Sequence, residues 1–174
     1  MKENFIFWFI FAIILVICVY TIILVRFFLK RISDAEKRNI ISQNNSAVMK
    51  LRFQAFERFT LLLERLSPES LILREQNPKI TGYAFHAQLL KVVRHEFNHN
   101  MAMQIYISWQ TWDKIKTAKE KLLMLINSSI AKIKPDSPAL ELGKIIIEDA
   151  ANEVNQYFKI AVESIRKEME EMKI

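Results

Sequence analysis

Only two glycines, Gly82 and Gly143, interrupt 174 residues, and that scarcity excludes most folds built from strands. Hairpins and bulges need residues that tolerate tightly turned backbone, together with runs in which apolar and polar positions alternate. The chain has almost no such alternation. Its apolar residues recur instead at three- and four-residue spacing, the period of a helix. The class expected is all-α: one N-terminal transmembrane helix plus a soluble helical bundle of about four main helices.

The transmembrane expectation rests on Phe5 to Val25, an uncharged run in which 16 of 21 residues are Phe, Ile, Leu or Val. As a helix it reaches about 31 Å, the thickness of a hydrocarbon core. A cleaved leader would show a shorter apolar region, a basic start and a small-residue exit, whereas here Lys2 is offset by Glu3 and no Ala-x-Ala follows. Cys18 is preceded by bulky Ile17, which argues against lipoprotein processing and leaves it as an apolar residue. Arg26, Lys30, Arg31, Lys37 and Arg38 follow the run, against a lone Lys2 before it, so charge bias places the bulk on the cytoplasmic side. The expected location is the inner (cytoplasmic) membrane, single-pass, N-terminus outside, with the lipid bilayer as a partner. A single cysteine permits no internal disulfide, in keeping with a reducing compartment. The domains read as 1–31 transmembrane anchor, 32–46 linker or helix extension, and 47–174 cytoplasmic helical bundle.

The formal charge is +6, but it is unevenly spread. Residues 26–66 carry nine Lys/Arg against four Asp/Glu, and residues 136–174 carry five against nine. A polarised chain without a basic recognition helix or a stacking motif does not read as a nucleic-acid binder.

Within the bundle, Met49, Phe53, Phe56, Phe59, Leu63 and Leu66 form the apolar stripe of a first helix. Ser67-Pro68 is a cap and first-turn pair that opens a short helix ending before Asn77-Pro78. A long helix is expected from near Thr81 to about Ile107. A third follows Ser108, and a last one follows the Pro135/Pro138 break, interrupted near Asn152 to Gln156.

His95-Glu96-Phe97-Asn98-His99 matches HExxH, in which two histidines one turn apart hold zinc and the glutamate activates the metal's water. A catalytic zinc needs a third protein ligand. Glu120, Glu148 and Glu153 are available, none in a diagnostic motif, and the turns of the longer metalloprotease signatures are missing. Helical winding puts His95 away from the apolar sector and His99 at its boundary. His86 lies nearer the core.

The same winding places Glu96, Asn100 and Gln104 in or beside the apolar sector. Polar groups there need partners, because an unsatisfied one costs about 1 to 3 kcal/mol. The expectation is a structural polar ladder of Glu96, His99, Asn100 and Gln104, with Glu96 paired to Arg52, Arg58 or Arg65 and setting helix register. Trp112 reads as core. Tyr106 and Trp109 form a possible partner surface, since large aromatics anchor interfaces. Lys114, Lys116, Lys119 and Lys121 read as a solvated face.

Leu51 to Arg74 and Glu96 to Glu120 resemble an uncharacterised family of small bacterial single-span membrane proteins with an all-helical cytoplasmic domain. The resemblance is carried by Phe56-Glu57-Arg58, Glu96, His99-Asn100, Gln104, Tyr106, Ser108, Trp112 and Lys116-x-x-Lys119-Glu120. The family pattern pairs two glutamines where this chain has Met103 before Gln104, and it does not include His95. The resemblance implies an architecture and no substrate.

The function expected is a membrane-anchored helical interaction or scaffold domain, non-enzymatic and without a cofactor, that binds a protein partner or a second copy of itself. The alternative is a membrane-anchored zinc metallopeptidase with His95 and His99 as ligands and Glu96 as general base.

Overall fold

A computed structural model describes the backbone of residues 2–151 and 153–172, and the side chains of residues 19–31, 43, 45–151 and 153–172. The described residues are helical apart from short connections, in the order α1 (Lys2–Leu66), α2 (Pro68–Glu75), α3 (Gly82–Asn100), a 3-10 helix (Met101–Tyr106), α4 (Trp109–Ile130), α5 (Ala139–Ala150) and α6 (Val154–Glu171).

The chain divides into two compact units, residues 1–49 and 50–174. In the first, the described side chains from Val19 to Arg31 are exposed, and the Arg31 guanidinium lies 5.1 Å from the centroid of the Phe27 ring. The expected transmembrane helix is corrected here: among the described residues, no helix is long and apolar enough to cross a membrane. Residues 5–18 of the expected span lie outside the described side chains. The membrane and single-pass assignments, the N-terminus-outside orientation and the inner-membrane location are withdrawn with it. Most of the expected linker, 32–42 and 44, also lies outside the described side chains.

The second unit is built around α4, which packs against α3, α5 and α6, while α5 also packs on α2 and α3. The end of α1 enters this core through Ala55, Phe56, Phe59, Leu62, Leu63 and Leu66, all buried. Met49 and Phe53, expected on the same stripe, are 39% and 41% exposed, so the buried stripe begins about two turns later than the spacing alone implied.

Local signals account for the helix ends. Ser67 occupies the N-cap position of α2, but its hydroxyl bonds Glu64 O and Ser70 Oγ and leaves the α2 amides alone; Pro68 supplies the preset φ of a first turn. Thr81 Oγ1 accepts from Ala84 N at 3.3 Å, and Ser108 Oγ from Thr111 N at 3.2 Å, so both act as side-chain caps. The loops before α3 and α5 are joined by Gly82 N to Ser137 O at 2.8 Å and Ala139 N to Ile80 O at 3.2 Å. Gly82 suits that approach, since a Cβ there would meet the Ile133 side chain and stand 3.4 Å from Ser137 O. The expected interruption of the last helix falls between Ala150 and Val154.

The long helix expected to reach Ile107 is shorter, because α3 stops at Asn100 and tightens into the 3-10 helix. Asn100 Nδ2 turns back onto Glu96 O at 2.9 Å, a local bond that competes with regular α-helical geometry.

Candidate functional site

His95 and His99 are both exposed on α3. Among the described residues, no group of three His, Cys, Asp or Glu side chains is placed to hold a metal ion. The HExxH glutamate is also engaged: Glu96 Oε1 accepts from Arg65 Nε at 3.2 Å and from Arg65 Nη2, with Arg74 Nη2 at 3.9 Å. A base that activates metal-bound water needs its carboxylate free to face that water. Glu96 instead faces two guanidinium groups, so the donor set does not fit a catalytic zinc.

The Arg65 pair is one of those the sequence allowed for Glu96. Around it, Arg74 Nη1 bonds Arg65 O at 3.0 Å, Arg74 Nε bonds Glu75 Oε1 at 3.0 Å, and Gln88 Nε2 bonds Glu75 Oε2 at 3.1 Å. These contacts tie the end of α1, α2 and α3 together at the surface, with Arg65 53% exposed. The ladder does not extend further. Asn100 is buried but uses its amide on the Glu96 backbone. Gln104 lies in the 3-10 helix, where about 120° per residue replaces the 100° that would have stacked it over Asn100. His86 is half-buried, with Nε2 3.0 Å from Asn127 Oδ1.

The most deeply set carboxylate of the unit is Glu168, only 9% exposed. It projects from α6 onto the N-terminal end of α4. Oε1 accepts from Ser108 N at 2.7 Å and from Arg52 Nη2 at 3.0 Å, and Oε2 accepts from Ser108 Oγ at 2.6 Å. Arg52 Nε also bonds Tyr106 O at 3.1 Å. The position is favourable to an anion, because unsatisfied amides and the helix dipole converge there. Burial pushes the Glu168 carboxyl up, but the bonds from Ser108, Thr111 and Arg52 together outweigh it and hold the group below its ordinary value.

Sequence reasoning missed Glu168, although a signal was present. Ala161, Ile165 and Glu168 follow at helical spacing on the buried side of α6, so the test that singled out Glu96 would have singled out Glu168 too. Arg52, considered for Glu96, belongs to Glu168.

These bonds hold the connection between α3 and α4, and that connection carries the predicted aromatic surface. Trp109 is 69% exposed, Ile105 74% and Met101 42%. Lys116 Nζ lies 4.6 Å from the Trp109 ring centroid, a cation–π contact that steadies the indole without covering it. Tyr106 is half-buried against the core. Trp112 is buried, stacked on Phe97 at 5.3 Å and tilted against Phe59 at 5.6 Å. The lysine run is less solvated than expected: Lys119 covers Phe97, Lys121 covers Tyr157 and pairs with Glu153, and Lys114 reaches Ser164.

Residues 3–172 match the model of a family of unknown function, DUF7935. The chain belongs to that family. No curated protein and no solved structure matches it. Within this DUF7935 chain, several residues that carried the resemblance have structural positions. Glu96 joins α3 to α1, Tyr106 O receives Arg52, Ser108 caps α4 while binding Glu168, and Trp112 fills the core. The membership supports an uncharacterised all-helical domain, with no process attached.

Proposed function

We propose that this domain is a non-enzymatic interaction module that docks a protein partner through the connection at Met101, Ile105 and Trp109. The observation carrying the reading is Trp109, a large aromatic more than two-thirds exposed at the start of a helix whose cap is held by Glu168. Exposed aromatics presented by a rigid element make strong anchors, because little side-chain and backbone freedom remains to be lost on binding. Single exposed apolar residues are ordinary, but three large ones within nine residues, on a segment bonded into place on both sides, suit recognition. The chemistry expected of the partner is an apolar pocket able to accept an indole.

A photo-crosslinking side chain placed at Trp109 in the native host tests this. A discrete crosslinked protein, lost when Ile105→Ala is added, supports the reading; crosslinks no different from those at exposed Lys144 would sink it.

A further inference from the structure

The seam between the last turns of α1 and α6 is an apolar trough with a charged rim on each side. Two adjoining hollows lie along it, of about 330 and 300 Å³. Phe53, 41% exposed, and the half-buried Val162 and Met169 line the first, over buried Phe56 and Ile165.

The rim charges are ordered. On α1 they are Glu57 and Glu64, and on α6 they are Arg166 and Lys159, with Glu163 between the two bases. The two helices run antiparallel along the seam, since the first hollow has Phe53 and Glu57 beside Met169, the second has Glu64 and Ser67 beside Lys159 and Phe158, and Arg166 borders both. Both rows have the same seven-residue spacing, two helical turns or about 10.5 Å. All four side chains are exposed, and none has an ion-pair partner among the described residues. The apolar trough holds the opposite charges apart.

We propose that the occupant of this trough is a second copy of the chain, related by a two-fold axis running along the seam. Such an axis sets α1 of one copy over α6 of the other with every height along the helices unchanged. Glu57 then falls on Arg166 of the second copy and Glu64 on its Lys159, and the reverse pairs form by symmetry. The four unpaired charges find partners together while Phe53, Val162 and Met169 are covered. An unrelated helix would have to supply both charge rows at this spacing, whereas a second copy carries them by construction. This surface is separate from Trp109 and does not depend on the reading above.

The test is the mass in solution of the 174-residue chain at tens of micromolar, by sedimentation, for wild type and two charge reversals. One carries Glu57→Lys and Glu64→Lys, the other Lys159→Glu and Arg166→Glu. The wild type is expected to be a dimer, and each reversal a monomer that keeps its helical spectrum, because like charges then face each other across the trough. The weakening expected is more than about a hundredfold. Mixing the two reversals is expected to restore a dimer containing one copy of each, since lysines of one then meet glutamates of the other on both sides. Trp109→Ala is expected to leave the dimer intact. A monomeric wild type, a dimer indifferent to both reversals, or a mixture that stays monomeric would each overturn the proposal.

Discussion

Arg52 on α1 and Glu168 on α6 stand 116 residues apart in sequence and meet at 3.0 Å, with Ser108 completing the contact from α4. One carboxylate thus joins three helices. Its partners are a guanidinium, a backbone amide at a helix start and the hydroxyl that caps the same helix, so nearly all of its acceptor capacity is used.

Removing that carboxylate strands groups on both neighbouring helices. Glu168→Ala is expected to destabilise the domain by about 2 to 3 kcal/mol, somewhat below the range for a fully buried pair because Arg52 is 34% exposed. Urea unfolding followed by circular dichroism measures it; a loss under about 0.5 kcal/mol would mean that the contact contributes nothing beyond a surface pair.

Acid should act through the same residue. The Glu168 pKa is lower in the folded state than in the unfolded chain, so between the two values the unfolded chain binds more protons and stability rises with pH. The contribution is fully present above the unfolded value of about 4.3 and is lost as pH falls through the folded one. Unfolding free energy measured from pH 6 to pH 3 is expected to fall more steeply for wild type than for Glu168→Gln, and parallel curves would contradict this.

Glu96 should matter much less to stability. Its principal partner Arg65 is 53% exposed, and solvent screening reduces such pairs to about 0 to 1 kcal/mol. Glu96→Gln is expected to lower the midpoint of thermal unfolding by no more than a few degrees. A drop as large as that of Glu168→Ala would give Glu96 the register role that its sequence position suggested.

The two tryptophans should separate cleanly. Trp112→Ala empties a site between Phe59 and Phe97 and is expected to cost about 3 to 5 kcal/mol. Trp109→Ala is expected to stay within about 0.5 kcal/mol, as for an exposed residue outside the core. Chemical denaturation of both variants is the check, and a large loss for Trp109→Ala would recast it as a packing residue.

Close packing makes Gly143 a further test. A Cβ at this position would lie 2.9 Å from Ile72 Cγ2 and 3.7 Å from Phe85 Cε1, and a γ-methyl bonded directly to Cβ has little room to retreat. Gly143→Leu is expected to destabilise by at least about 2 kcal/mol, against the gain in helix propensity. A stability equal to wild type would show that α5 can shift away from α2.

What the sequence determined by itself was set within a few residues of each signal. Two glycines and helical spacing established the all-α class, Thr81 and Ser108 marked the starts of α3 and α4, and the prolines before Ala139 marked α5. Trp112 was legible as core because its stripe is local. The long apolar start of the chain was read as a membrane span, which the described residues do not support. Tertiary structure decided the pairings. Glu96 meets Arg65 across 31 residues and Glu168 meets Arg52 across 116, and helix period tells which face a residue occupies but not which helix lies opposite. It also ended α-helical winding at Asn100, where the 3-10 turn carries Gln104 off the face that regular winding would have given it. A side chain's chemistry is written in its own residue, while its partner is chosen by how the helices pack.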